Sequence, residues 1–208
     1  MSRVRSEAGL RYAIPSRIYR VEELIQRSRF ITTAAHAPDP NAANAFVDSV
    51  RESFPDATHH CWAFVAGPPG STAHIGMSDD GEPHGTAGRP MLTVLLHSGV
   101  GEVVTVCTRY FGGVKLGTGG LARAYAGGVK LLLQTLPTEL KIKRVHINVR
   151  VAYPHVESLQ RLLDDLEVVV EHEEYGEEVK YQIAVPSMTL ETLREQLAQL
   201  TSGEGVLE

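Results

Sequence analysis

Residues 108–125, TRYFGGVKLGTGGLARAY, carry the chain from the end of a strand, through five glycines between Gly112 and Gly120, into the start of a helix. Glycine lets backbone N–H groups approach an anion closely, the first N–H groups of a helix lack internal partners, and the helix dipole favours negative charge there. The local charge agrees. No acid lies between Glu102 and Glu139, whereas Arg109, Lys115, Arg123 and Lys130 all do. The segment reads as an anion site, with tight turns and close helix packing as the plainer reading of the same glycines. The nucleotide-loop patterns GxxxxGK[ST] and GxGxxG are both missing, because Lys115 lies between glycines and not after them.

Working outward, EVVTVCTRYF is a buried strand, and Leu121, Tyr125, Val129, Leu132, Leu133 and Leu136 share one side of the following helix. Upstream, RFITTAA and HCWAFVA read as strands. Asp39-Pro40 supplies a cap and first-turn proline for a helix carrying Phe46, Val47, Val50 and Phe54. PMLTVLLHS reads as helix in preference to strand. The stretch GPPGSTAHIGMSDDGEPHGTAG is rich enough in Gly, Pro and Ser to read as loop throughout. It holds a second cluster, Asp79, Asp80 and Glu82, followed by Gly85, Thr86, Gly88 and Arg89. Such acids either bind a divalent cation or fix nearby backbone, and the failed EF-hand spacing favours the second. His59, His60 and Cys61 are adjacent on a strand, so their side chains alternate and do not converge on a metal. Cys61 is expected to pack inward and one histidine to face the acidic loop.

Beyond Pro137 the character changes. Residues 1–140 hold 13 basic and 12 acidic residues, whereas 141–208 hold 7 and 13. KIKRVHINVRVAY alternates Val145, Ile147, Val149 and Val151 on one face, the period of a half-buried strand. Pro154 suits the first turn of a helix with Val156, Leu159, Leu162, Leu163 and Leu166 in one stripe. Two strands around Gly176 form a hairpin, Thr189 caps a last helix bearing Leu190, Leu193, Leu197 and Leu200, and GVLE closes as a short strand. The order βαββα(β) is ferredoxin-like. The class is therefore α+β with two domains, at 17–138 and 141–208 after a flexible 1–16.

The whole chain of 208 residues has 20 basic against 25 acidic residues and 43% apolar content, an ordinary globular balance that excludes a generally basic nucleic-acid coat. Cys61 and Cys107 sit in apolar runs and behave as small hydrophobes, so a disulfide scaffold is not expected. With no membrane span and no secretory leader pattern, a cytoplasmic location is expected. No GxSxG, Ser-Lys or Cys-His arrangement supports nucleophilic catalysis.

SRFI at 28–31, HHCWAF at 59–64, DDGEPHGTAGRP at 79–90 and TRYFGGVKLGTGGLARAY at 108–125 resemble, in order and spacing, the Impact/YigZ family. The resemblance covers about residues 17–137, and the acidic remainder looks like the small ferredoxin-like domain of bacterial members. It implies that the first domain folds like the second domain of a small-subunit ribosomal protein, domain IV of elongation factor G and the GHMP kinases, and the second like domain V of elongation factor G. Eukaryotic Impact, which regulates a stress kinase through an additional N-terminal domain, is similar in the first domain alone, so kinase regulation is not carried over.

The expected function is a non-enzymatic, translation-associated regulator that binds RNA or the ribosome, with no cofactor or metal. Arg89, Arg109, Lys115 and Arg123, with Gly117, Gly119 and Gly120, are expected to meet phosphates. His59, His60, Asp79, Asp80, Glu82, Thr86 and Tyr110 are expected to line a cleft between the two loops, with Asp80 or Glu82 pairing with Arg89, Arg109 or Arg123. The alternatives are an enzyme or sensor for a phosphorylated metabolite using the same loop, or an adaptor whose acidic C-terminal domain meets a protein partner.

Overall fold

A computed structural model describes residues 11–208. Tyr12–Lys141 form one compact unit, and Ile142–Glu208 with Arg11 form the other. Among the described residues, no helix is long and apolar enough to cross a membrane.

The first unit opens with β1 (Arg11–Pro15), then β2 (Tyr19–Ile25), β3 (Ser28–His36), α1 (Pro40–Ser53), β4 (His59–Val65), β5 (Ile75–Ser78), α2 (Gly88–Leu96), β6 (Val103–Tyr110), α3 (Gly117–Thr135) and β7 (Thr138–Ile142). β1 and β7 make a two-stranded ribbon, and the main sheet runs β2-β3-β6-β4-β5, each neighbouring pair antiparallel. Central β6 is buried along nearly its whole length because both faces of the sheet are covered. On one side Phe30, Ala34, Cys61, Ala63, Val65 and Cys107 pack against Met91, Leu95, Leu121, Tyr125, Val129 and Leu132 of α2 and α3. On the other, Phe64, Val104 and Val106 pack against Ala43, Val47 and Val50 of α1. Asp39 caps α1, its carboxylate accepting the Ala42 N–H at 2.9 Å.

The ribbon is tied to the sheet by buried Glu102, which accepts from the Tyr12 hydroxyl at 2.7 Å and Lys141 Nζ at 2.5 Å and lies 2.6 Å from His36 Nε2. Burial pushes this carboxyl upward, but the bonds from Lys141, His36 and Tyr12 outweigh it and hold it below the usual glutamate range.

The second unit follows as β8 (Arg144–Val151), a 3-10 turn at Tyr153–His155, α4 (Val156–Asp165), β9 (Val169–Tyr175), β10 (Val179–Pro186), α5 (Leu190–Leu200) and β11 (Val206–Leu207). Its antiparallel sheet has the order β11-β8-β10-β9, the ferredoxin-like arrangement expected from the element order. Val149, Val151, Tyr181 and Ile183 meet Leu159, Leu163, Leu193 and Leu197 in a separate core.

Three expectations are corrected. Within the span expected to be a flexible N-terminus, Arg11–Pro15 is strand, because its backbone has a partner in β7; residues 1–10 lie outside the described residues. The long loop contains β5, whose partner β4 is ten residues away and leaves no local signature. A strand begins at Thr138, directly after Pro137, and the break before β8 falls at Lys143. α2 is a helix, as PMLTVLLHS predicts.

Candidate functional site

The site is built where β4 begins and β6 ends, beside the two glycine-bearing loops. A charged residue within a buried strand requires a buried partner, because an uncompensated charge in the interior is costly. Arg109 on β6 is 5% exposed, and its guanidinium donates to Glu82 Oε1 at 2.5 Å and to Ser28 Oγ at 3.3 Å. The Tyr125 hydroxyl, from α3, donates to the same Glu82 oxygen at 2.7 Å. Arg109 was expected among the phosphate contacts. Its charge is instead met inside the protein, by one of the acids expected to pair with it.

The other two acids of the loop are engaged as well. Asp79 accepts three backbone N–H groups, from Gly85 at 2.7 Å, Ala87 at 3.0 Å and Gly88 at 2.9 Å, and so fills the N-terminus of α2. Burial raises its proton affinity, but these bonds prevail and hold the carboxyl below the usual aspartate range. Asp80 accepts the His60 N–H at 2.6 Å and an Arg51 guanidinium N–H at 3.0 Å. Arg51 is a partner that sequence spacing gave no sign of, being 29 residues away on α1. Thr86 closes the turn by donating to the Pro83 carbonyl at 2.6 Å.

The histidines divide as strand alternation requires. His59 donates through Nδ1 to the Asp80 carbonyl at 2.7 Å and brings Nε2 to 4.0 Å from Glu82, so it faces the acidic loop. His60 donates through Nε2 to the Phe54 carbonyl at 3.0 Å, on the α1 side. Cys61 is fully buried, and its thiol, pushed up by burial, donates to the Asp79 carbonyl at 2.9 Å. Tyr110 is one residue beyond Arg109 and turns away from Glu82; its hydroxyl donates to Asp56 at 3.0 Å. Neither His60 nor Tyr110 joins the cleft-lining group, because neighbouring strand residues take opposite faces.

The basic loop differs. Lys115, Gly117, Gly119 and Arg123 are exposed, Gly120 is half-buried, and none of the ion pairs among the described residues involves Lys115, Arg123 or the exposed Arg89. The residue capping α3 is Leu116, which offers no side-chain bond, and the first turn holds no acid. The exposed start of α3 thus has no acid in its first turn and no side-chain cap, and it lies beside Lys115 and Arg123, which make no ion pair among the described residues. The loop's root, in contrast, is rigid. The Phe111 N–H donates to Thr58 Oγ1 at 3.1 Å and the Gly112 N–H to Ser28 Oγ at 3.2 Å. A Cβ on Gly112 would stand 1.9 Å from the Arg27 carbonyl oxygen, so only glycine allows this approach. Ser28, Thr58 and Phe111 were missed as site residues. A serine opening a strand and an aromatic closing one carry no spacing signal.

Comparison with known proteins places this arrangement. The Impact N-terminal domain matches residues 26–133, and a domain of unknown function (DUF1949) matches residues 149–204. The chain is 42% identical to the IMPACT family member YigZ of Escherichia coli strain K12, covering 92% of this chain and 94% of that protein. It is 34% identical to the IMPACT family member YvyE of Bacillus subtilis strain 168, over 88% of this chain and 83% of that one. A solved crystal structure described only as that of a hypothetical protein is 41% identical, with a TM-score of 0.68 over 95% of this chain and 96% of that chain. The two matched domains and the near full-length relatives agree, and the chain belongs to the Impact family.

Proposed function

We propose that this protein is a non-enzymatic, translation-associated factor that holds RNA, free or on the ribosome, by its phosphates at the loop 111–120. The observation that carries the reading is the start of α3, an exposed helix N-terminus with no side-chain cap, no acid in its first turn and Lys115 and Arg123 beside it. Donors left open in this way match a phosphate chain, which supplies anions along a line. The acidic loop supports the reading by contrast, since Asp79, Asp80 and Glu82 each accept from donors of the protein itself.

Labelled RNA titrated against the full chain at several salt concentrations tests the reading. Each phosphate contact on a single strand contributes about −0.7 to the slope of log affinity against log salt. Lys115→Ala with Arg123→Ala is expected to weaken binding and flatten the slope by about 1.4, two contacts at that increment. Affinity that ignores salt, or that the double variant leaves intact, refutes it.

The acidic second unit supports a separate protein contact. Its edge strand β9 exposes Val169, Val170 and Tyr175 among Glu171, Glu173 and Glu174, an open strand edge with apolar and acidic side chains. Removing residues 142–208 should abolish that contact while leaving salt-dependent RNA binding in place.

A further inference from the structure

Phe111 stands at the root of the basic loop with 47% of its surface exposed. Single exposed apolar residues are common on protein surfaces and need no explanation by themselves. This ring is held. Its backbone N–H is bonded to Thr58, the next residue is pinned to Ser28, and the ring lies 5.5 Å from the Arg109 guanidinium. That guanidinium also lies over Phe30 at 5.3 Å, is fixed by Glu82 and Ser28, and has a buried Nε with no hydrogen-bond partner, as a group placed against rings has. Phe30 in turn meets Tyr125 edge-on at 5.4 Å and 85°. The exposed ring is therefore the outer end of a run of contacts, Tyr125–Phe30–Arg109–Phe111, whose inner members are buried, and its backbone is fixed at the same place.

An aromatic surface fixed at the base of a loop that carries Lys115, Arg123 and an uncapped helix start matches one repeating chemical unit, a planar base joined to a phosphate. Bases inside a duplex are covered by their neighbours on both faces, so only an unpaired base has a face to offer. We propose that Phe111 is a stacking platform for one unpaired base, and that the site on this loop selects single-stranded RNA over duplex. This rests on the RNA reading above and adds the form of RNA the loop takes. Because every base has a π-face, the platform confers little base preference.

The test uses the full chain with a labelled oligoribonucleotide, single-stranded and annealed to its complement, each at several salt concentrations. Phe111→Ala is expected to weaken single-strand binding by about five- to 150-fold, the range of one base–aromatic stack, with the salt slope unchanged and duplex binding hardly altered. Phe111→Trp is expected to retain single-strand affinity, and its indole fluorescence to be quenched by the single strand and not by the duplex. Circular dichroism on both variants confirms folding, which the exposed position leaves intact. Equal affinity of Phe111→Ala and the native protein for the single strand overturns the platform, as does equal loss on both forms or an indole that RNA does not quench. If Phe111→Ala is silent while Lys115→Ala with Arg123→Ala still flattens the salt slope, the stacking inference falls and the phosphate reading stands. If no RNA binds, both fall.

Discussion

α2 and α3 both start from glycine-bearing loops of the first unit, and they treat their first turns in opposite ways. At α2 the chain supplies its own anion, Asp79, which takes the N–H groups of Gly85, Ala87 and Gly88 from nine or fewer residues upstream. At α3 it supplies none, and Lys115 and Arg123 stand beside the open turn. The same pairing of glycine with helix start is closed in one place and open in the other. What separates them is whether an acid within reach has been committed, and each acid of the 79–82 cluster is committed inside the protein. An internal anion makes a loop structural; its lack leaves a loop able to accept one from outside.

The hardest blow to this contrast falls at Glu82, which holds both Arg109 and Tyr125 in the interior. Removing one partner of a buried ion pair leaves the other uncompensated and typically costs about 3–5 kcal/mol. Glu82→Gln is expected to lose that much in urea denaturation, whereas Glu82→Leu with Arg109→Met is expected to recover most of it. A Glu82→Gln protein of native stability but altered RNA affinity would move Glu82 from the scaffold to the binding surface. Next comes Gly112→Ala, whose methyl carbon meets backbone at 1.9 Å with no flexible side chain to yield. Overpacking of that kind costs about 1–3 kcal/mol, read from the same denaturation curves, and a native-like midpoint would show the root of the loop to be loose.

How much of this was legible follows from the range of the forces involved. α3 was legible because Leu121, Tyr125, Val129 and Leu132, at helical spacing, are all buried on one face. The second unit was legible for the same reason, its alternation and stripes mapping onto a single buried side of the sheet. β5 was not, because its four residues alternate exposed and half-buried and gain strand geometry only from Trp62 to Val65 across the ladder. The role of Arg109 was half legible. An arginine in the run VTVCTRY needs a buried acid, and the acidic loop was the nearest supply, yet charge alone ranked it with the phosphate contacts. Asp79 was legible as a residue that fixes nearby backbone, and it does so. Its partners, Gly85, Ala87 and Gly88, were not legible, because they are set by how the loop folds back and not by local sequence.

Asp79 offers a milder test through pH. Its carboxyl is held below the usual value, so the folded state gives up its proton more readily than the unfolded chain does. The stability this contributes is complete above the usual aspartate pKa of about 3.9 and is lost as pH falls from there through the lower folded value. Asp79→Asn is expected to lower stability at neutral pH by about 1–2 kcal/mol, the usual worth of an anionic helix cap. Below about pH 4 the melting temperatures of the two proteins should converge, because the native carboxylate is then being lost as well. Melting curves that stay parallel down to acid would mean that Asp79 contributes little through its charge, and the contrast between α2 and α3 would lose its closed member.

The finest test separates binding from folding at α3 itself. Gly119 lies in the first turn with helical geometry, and a Cβ there would meet only the end of the Arg123 side chain at 3.5 Å, an ordinary contact. Alanine favours helix over glycine by about 0.8–1.0 kcal/mol, so Gly119→Ala should leave the protein as stable as before or slightly more so. Gly117 sits two residues earlier at φ +69, where a side chain is strained by about 1–2 kcal/mol, so Gly117→Ala should lower stability. The two substitutions thus pull stability in opposite directions, while both put a methyl group where the backbone would meet a phosphate. If the loop binds RNA by close backbone approach, Gly119→Ala weakens binding more than tenfold, about 1.4 kcal/mol, without any loss of stability to explain it. Binding that simply tracks stability across the pair, falling for Gly117→Ala and holding for Gly119→Ala, would mean that these glycines shape the turn and that Lys115 and Arg123 alone meet the ligand.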